Sequence, residues 1–393
     1  MTRIYLIRHC EAEGNLYRRI HGSTDSQITP KGRRQIAALA ERFRDVSVDA
    51  LYASDLRRTQ ETAGAFLQYH ALPLHIEPRL REMSTGVWED RPFGDVGFED
   101  PELLRRFNND PGAWGVEGSE SYAALQQRMR SVVEEIAARH RGRTVVCVSH
   151  GMAIRSLLAL YLGLPSAEIN SVPHGDNTAV SLLEYGDDWS VQMPLMNDAS
   201  HLTEELSTFA RQSWWRQPDR RDPDNIHFRR LNPLLSPGTY TEYYAKTWKA
   251  VHGSTGGFQP QLYIAAAISH AAVCPDAIVT IHRPNGECVG ITELDTVRGR
   301  SQGYGWICLC YVEPAYRRRL LGIQLIGHAV SVFRKLGRSS LRLCVYEGND
   351  CARRFYESAE FRVVGETEGV KGKLLIMEKA LLETENGKLK NAK

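Results

Sequence analysis

The feature that most constrains this chain is a change of rhythm partway along it. From residue 1 to about 200, short strand-like runs alternate with longer stretches of helical periodicity, the pattern of a sheet covered by helices on its faces. Arg3–Arg8, Asp49–Ala53 and Thr144–Ser149 read as strands, and Lys31–Phe43, Arg57–His70, Glu120–Arg139 and Ala153–Leu162 as helices. Ala179–Tyr185 and Trp189–Met193 read as a closing hairpin around Gly186-Asp187-Asp188. Near residue 200 the composition shifts, and residues 201–225 predict a linker ending in the polar, proline-containing stretch Gln217–Asn225. Within it, Trp214-Trp215 reads as a core-packing pair.

The second rhythm opens with a strand over Ile226–Leu231 and two helices, Thr239–Val251 and Gln261–Val273. A hairpin follows, Ile278–His282 and Cys288–Leu294, around Pro284-Asn285-Gly286. Gly305–Val312 is a further strand, leading into a helix near Leu321–Leu336. The run ends in a strand over Ser340–Val345, a helix over Cys351–Ser358 and a strand near Leu374–Glu378. The expected division is a first domain over 1–200, a connection over 201–225, a second domain over 226–382 and a polar tail over 383–393.

A length of 393 residues suits two or three domains of ordinary size. With 49 Lys and Arg against 47 Asp and Glu, the near-balance gives no whole-chain argument for nucleic acid, membrane surface or acidic partners. Arg8, His9 and Glu11 interrupt the first apolar run, so a signal peptide is not expected. The apolar segment Leu262–Val273 is too short to span a bilayer. The eight cysteines show no C-x-x-C pair, which predicts buried thiols in a reducing, cytoplasmic setting rather than disulfides or zinc.

The chemistry-bearing residues of the first half cluster at strand ends, where ligands bind in α/β sheets. Ile4–Ile7 runs into Arg8-His9-Cys10-Glu11, with Asn15 shortly after. Arg58 opens the helix after the second strand, Glu82 follows Leu80-Arg81, and His150 follows Val148-Ser149. A guanidinium holds phosphate oxygens bidentately, and a neutral imidazole nitrogen can attack phosphorus. Two histidines, two arginines and an acid therefore make a phosphoryl-transfer set. With these motifs in this order, residues 1 to about 195 resemble the histidine phosphatase superfamily, in its phosphoglycerate mutase-like branch. The resemblance implies a three-layer αβα domain with a mostly parallel sheet. By it, His9 is the nucleophile that becomes a phosphohistidine, and Arg8, Arg58 and His150 bind the phosphoryl group. Glu82 protonates the leaving oxygen and then helps activate water, Asn15 touches the phosphate, and Glu120-Ser121 matches a G-E-S segment with Ser119 inserted. An acid in that role needs burial or a carboxylate neighbour to stay protonated. Cys10 replaces the signature glycine, either as a small buried residue or as an oxidisable thiol among arginines.

In the second half, strand Gly305–Val312 is followed by Glu313-Pro314-Ala315-Tyr316-Arg317-Arg318-Arg319-Leu320-Leu321-Gly322, a turn into a helix start suited to pyrophosphate. Asn349, Ala352, Phe355, Tyr356 and Phe361 follow at fixed spacing. Together they resemble the GNAT acetyltransferases, with V-x-P-x-Y-R-x-x-G-x-G and N-x-x-A-x-x-F-Y-x-x-x-G-F, and imply a mixed α+β domain. By that resemblance Val312, Arg317, Arg318, Arg319, Leu320, Gly322 and Gln324 cradle the coenzyme A of acetyl-CoA. Asn349 holds the pantetheine arm, and Tyr356 protonates the departing thiolate. Leu320 stands for the first loop glycine and Glu360 for the glycine before Phe361; a negative φ at Leu320 is the condition under which binding survives. Glu293 and Glu313 lie near the expected site strands as candidate bases.

The combined expectation is a bifunctional enzyme: a phosphatase for a small phosphorylated metabolite, fused to an acetyltransferase for an amine acceptor. The phosphatase half needs no cofactor, neither half needs a metal, and neither nucleic acid nor membrane is a partner. The alternatives are mutase-type phosphoryl transfer, and a second half that only binds coenzyme A as a regulatory module.

Overall fold

The computed structural model describes residues 1–212 and 223–381. The expected tail over 383–393 and Trp214-Trp215 lie outside the described residues. The chain divides into two compact units, Met1–Asp222 and Pro223–Lys393.

In the first unit the elements are β1 (Thr2–Arg8), α1 (Glu13–Tyr17), α2 (Pro30–Phe43), β2 (Ala50–Ala53), α3 (Arg57–Leu67) and β3 (Leu74–Ile76). Then come α4 (Phe93–Glu99), α5 (Pro101–Asn109), α6 (Tyr122–Arg139), β4 (Thr144–Ser149), α7 (Gly151–Tyr161), β5 (Val180–Tyr185) and β6 (Val191–Asp198). The sheet order is β3-β2-β4-β1-β5-β6. Its first four strands are parallel, and β5 and β6 add antiparallel neighbours. Alternation along the strands sends side chains to both faces. Ile4, Leu6, Val145 and Cys147 join α6 and α7 in one core, while Ile7, Leu51, Val146 and Val148 join α2 and α3 in another. The result is the expected three-layer αβα sandwich. The β1–β4 register sets Arg8 opposite Ser149, so His9 and His150 leave neighbouring strand ends together.

One expected boundary is corrected. Residues 201–210 are not a linker but pack onto the first unit. Gln35 Nε2 donates to the Leu206 carbonyl at 2.8 Å and to Thr208 Oγ1 at 3.1 Å. Thr208 Oγ1 donates to the buried Glu11 at 3.0 Å, and Phe209 is buried. At the other end the second unit begins at Pro223, with Asp224 tied to a helix of that unit through Gln324 and Arg319.

The second unit contains β7 (His227–Arg230), α8 (Pro237–His252), α9 (Pro260–Val273), β8 (Ile278–His282), β9 (Cys288–Asp295) and β10 (Tyr304–Val312). These are followed by α10 (Leu321–Lys335), β11 (Ser340–Tyr346), α11 (Asp350–Ser358), β12 (Arg362–Gly369) and β13 (Gly372–Ala380). The sheet order is β12-β13-β11-β10-β9-β8-β7. Only β10 and β11 pair in parallel, and only over Tyr304–Ile307 with Ser340–Leu343. Beyond that the two strands part, and a bulge between Ile307 and Leu309 bends β10 against β9. This splayed pair with a helix at its mouth is the element that positions the second site. Among the described residues no helix is long and apolar enough to cross a membrane. All eight cysteines are free, as expected, but only Cys10 and Cys147 are fully buried and Cys351 is exposed.

Candidate functional sites

The first site is built at the ends of β1 and β4. The His9 and His150 ring centroids lie 5.2 Å apart. His9 Nδ1 is 2.7 Å from the Cys10 carbonyl oxygen. A carbonyl only accepts, so Nδ1 carries the proton and Nε2 keeps its lone pair. Arg58 is fully buried; its Nη1 donates to the Thr24 carbonyl at 2.9 Å and its Nη2 to those of His21 and Gly22 at 3.0 and 2.8 Å. Arg8 Nη1 donates to the Gly175 carbonyl at 2.6 Å. The Nε–H of each guanidinium and Nδ1 of His150 are buried without a protein partner. An unpaired buried donor costs about 1–3 kcal/mol. Burial holds both guanidiniums below their ordinary value, Arg58 down to about 10. A bound dianion is the charge that reverses this. His150 Nε2 lies 2.9 Å from Ser54 Oγ, and with that hydroxyl donating, Nδ1 presents its proton to the site.

Glu82 is within electrostatic reach of both arginines. Its surroundings differ from the expected apolar burial or second carboxylate. Oε1 accepts from the backbone N–H of Met83 and Ala153, both at 2.9 Å, and Oε2 from that of Met152 at 3.0 Å. The carboxyl group thus sits on the N-terminus of α7, half-exposed, with lone pairs of Oε2 left for a proton. Arg128 steadies this loop by donating to the carbonyls of Arg79 (2.6 Å) and Arg81 (3.0 Å) while gripping Glu120 through two bonds. Glu120 therefore positions the loop, and Ser121 caps α6. Asn15 accepts from the Ala12 N–H at 3.1 Å through Oδ1, leaving its Nδ2 end for a ligand.

Three contributors carried no sequence signal of their own. His21 lies with its ring centroid 5.7 Å from that of His9, its Nδ1 buried and unpaired. It fits because residue 14 is glycine: a Cβ there would stand 2.3 Å from His21 Cγ. Asn177 donates to the His9 carbonyl at 2.9 Å, and Asp176 ties the segment to Ser207 and Thr208. The oxidisable reading of Cys10 is overturned, because burial pushes its thiol up to about 12. Its sulfur lies against Gly32, where a Cβ would come within 3.2 Å.

Burial first, and then the neighbouring arginines, hold His9, His21 and His150 well below 6.5. His9 is therefore neutral at physiological pH. In the unfolded chain the same rings protonate near 6.5, so below that pH the unfolded state binds more protons and stability falls with pH. We expect a melting temperature that declines as pH drops from about 6.5 towards 5. Substituting His21 with glutamine should flatten that decline, and an unchanged slope would contradict the assignment.

The second site lies where β10 leaves β11. Tyr356, on α11, is held protonated by burial and by Cys310 on the freed part of β10. The loop before α10 departs from expectation. Leu320 has φ 60° and Arg318 φ 63°, so the anticipated negative φ at Leu320 is not found. A left-handed non-glycine residue costs about 1–2 kcal/mol. Glu360, at φ 67°, is the same case. Several expected cradle side chains are engaged within the domain. Arg317 Nε donates to the Val312 carbonyl at 2.9 Å, while the residue itself stays exposed. Arg319 pairs with Asp224 at 2.8 Å, and Gln324 donates to the Asp224 carbonyl at 2.7 Å. Asn349 caps α11 through the Ala352 N–H, and Gly322 lies against the Phe355 ring. What remains for an anion is the backbone N–H set opening α10 and the exposed Arg317 and Arg318. Of the candidate bases, Glu313 binds Lys246 at 2.7 Å, and the buried Glu293 accepts from His270 Nδ1 at 2.8 Å.

Comparison with known proteins matches residues 4–198 to the histidine phosphatase superfamily (branch 1) and residues 246–361 to the acetyltransferase (GNAT) family. A probable phosphoglycerate mutase GpmB from Yersinia enterocolitica is 34% identical over 191 residues, covering 47% of this chain and 86% of the relative. Its counterpart from Yersinia pestis is 36% identical over 166 residues, covering 42% and 77%. Among solved structures, Bacillus stearothermophilus YhfR has 31% identity and a TM-score of 0.49, covering 51% of this chain and 99% of that one. The chain belongs, through its first unit, to the histidine phosphatase superfamily, and the GNAT acetyltransferase match falls wholly within its second unit.

Proposed function

We propose that the first domain hydrolyses a small phosphomonoester through a phosphohistidine on His9. The observation that carries this reading is the convergence of the His9 lone pair with three unpartnered buried groups, Arg8 Nε–H, Arg58 Nε–H and His150 Nδ1. Charge in phosphoryl transfer spreads over the equatorial oxygens, and preorganised cations are what stabilise it. His9 Nε2 forms a bond to phosphorus as the ester P–O bond breaks, and Glu82 gives its proton to the leaving oxygen. Water then attacks phosphorus, its proton passes to Glu82, the P–N bond breaks and inorganic phosphate leaves. Rapid-quench labelling with a radioactive phosphomonoester should give an acid-labile, base-stable phosphate on His9, and its absence would sink the reading. The relatives' names favour a second reading, in which the phosphoryl group returns to a phosphoglycerate. Interconversion of 2- and 3-phosphoglycerate faster than phosphate release would select it.

For the second domain we propose acetyl transfer from acetyl-CoA to an amine. Although Leu320 takes a left-handed φ, the N–H groups opening α10 begin just after it, and with Arg318 they suit the pyrophosphate. Bound there, acetyl-CoA supplies the acetyl group, and Tyr356 holds a proton at its phenol for the departing thiolate. Coenzyme A should raise the melting temperature of the full chain by mass action. Tyr356→Phe should lower acetyl transfer about 10- to 100-fold while leaving that protection and phosphate release in place. Protection without any transfer in the native chain would favour a regulatory coenzyme A-binding module.

A further inference from the structure

Resting on the acetyltransferase reading, we infer that His270, Glu293 and Asp295 form the amine-deprotonating end of the transfer site, and that Tyr244, Tyr263 and Phe258 seat the apolar part of an arylalkyl primary amine. Glu293 lies on β9 directly across from Leu309, the first residue after the β10 bulge, where β10 has parted from β11. It is therefore placed beside the splayed strands, on the side away from β11. The carboxylate is 2% exposed, and a buried carboxylate requires partners. It has two: the Tyr240 hydroxyl donates to Oε2 at 2.8 Å, and His270 Nδ1 lies 2.8 Å from Oε1.

The hydrogen bond to Glu293, with Asp295 behind it, pushes the His270 imidazole above its ordinary value, which makes it a strong proton acceptor; when the ring is neutral, the Glu293 contact sets its tautomer. Nδ1–H donates to Glu293, so Nε2 keeps the lone pair. Asp295, two residues along the same strand and on the same face, lies 3.4 Å from Nε2. A proton arriving on Nε2 thus produces an imidazolium with a carboxylate at each nitrogen. The cluster also invites a metal reading, since His270, Glu293 and Cys308 place potential ligand atoms within 4.8 Å of one another. The arrangement argues otherwise. His270 spends one nitrogen on Glu293, and burial together with Glu293 and Asp295 keeps the Cys308 thiol protonated, so the set offers no thiolate ligand.

Aromatic rings adjoin the dyad. Tyr240 lies 5.7 Å from Tyr244, which is 4.2 Å from Tyr263 and 5.7 Å from Phe258 between centroids. Glu293 and Cys308 both act electrostatically on the Tyr244 phenol. Tyr244, Tyr263 and Phe258 are half-buried, which leaves ring surface for an apolar or aromatic group. Carboxylates beside aromatic faces also attract an ammonium as it arrives.

In the transfer step the ammonium first gives one proton to His270 Nε2, which passes it to solvent; the free amine nitrogen then forms its bond to the thioester carbonyl carbon and gives its second proton to His270 Nε2. The C–S bond breaks and the thiolate takes the Tyr356 proton. His270 then releases its proton and Tyr356 regains one from solvent, leaving amide and thiol.

The test uses the full chain with acetyl-CoA and 2-phenylethylamine, following thiol release, with glutamate as a contrasting anionic amine. Expected are faster transfer to 2-phenylethylamine than to glutamate, a loss in kcat of about 100-fold or more for His270→Gln with the KM for acetyl-CoA unchanged, and partial rescue of His270→Ala by imidazole. Phosphate release and coenzyme A protection should persist in both variants, showing that they fold. Wild-type kcat in His270→Gln, preference for glutamate, or no transfer to 2-phenylethylamine by a chain that coenzyme A does protect would overturn the inference. Absence of coenzyme A protection in the native chain would instead overturn the acetyltransferase reading beneath it.

Discussion

His9→Ala should lower p-nitrophenyl phosphate hydrolysis by about 10⁴-fold or more, the scale seen when an enzyme loses its nucleophile. The reason is specific to the geometry. Without the imidazole, the other neutral rings beside the cradle are His150 and His21, and neither is held by a backbone carbonyl, as His9 is, so that a lone pair is fixed towards the site. Arg8 and Arg58 carry no lone pair for attack, and His150 is bound to Ser54 through Nε2. The anion seat itself should survive, because the Arg58 contacts to Thr24, His21 and Gly22 do not involve His9. Orthovanadate should therefore still raise the melting temperature of His9→Ala. A variant that keeps hydrolysing, or that loses activity only together with the vanadate response, would show that His9 serves binding rather than bond formation.

Glu82→Gln should produce a loss that depends on the leaving group. With an alkyl phosphate such as a sugar or glycerate ester the departing alkoxide needs a proton, and the expected fall is about 10²–10⁴-fold. With p-nitrophenyl phosphate the leaving group departs readily as an anion, so formation of the phosphohistidine should slow far less. Breakdown of that intermediate still needs a base for water, and the phosphoenzyme should accumulate and become visible by rapid quench. Equal losses with both esters and no accumulation would remove Glu82 from proton transfer. The three backbone N–H bonds to the carboxylate make glutamine a demanding replacement, since its NH2 end cannot accept them. Glu82→Asp, which retains the acid but shortens its reach, separates a lost proton from a disturbed loop.

Much of this was legible in the residues alone, for reasons that can be named. The strands β1 and β4 carry β-branched residues and β2 is a short apolar run, and their ends carry Arg8, Ser54 and His150, so their place in the sheet followed from pattern. Elements whose burial is one-sided or absent were not legible. β12, Arg362–Gly369, is an edge strand exposed along most of its length, and nothing in its composition marks a face. β3 has only three residues, and α1, α4 and α5 are too short for a period to show. Side-chain destinations were harder still. Arg319 and Gln324 sit where a cofactor loop has polar residues, yet each is claimed by Asp224, about a hundred positions earlier. His21 was invisible because its partnership with His9 exists only through the turn after α1. The segment after residue 200 looked like a connection because its polar side chains, Ser207 and Thr208, find their acceptors in Asp176 and Glu11 rather than in each other.

That last knot has a practical consequence for dissecting the gene. Glu11 is held by Thr29 at 2.7 Å, by Thr208 at 3.0 Å and by Lys31 at 3.5 Å, immediately beyond the nucleophile. A fragment ending at residue 200 would strip one hydroxyl from a carboxylate sealed inside the protein and bare the face that Phe209 covers. The shortest piece that keeps both the Glu11 partners and this face covered thus extends past Phe209, a limit that placement by motif alone would miss.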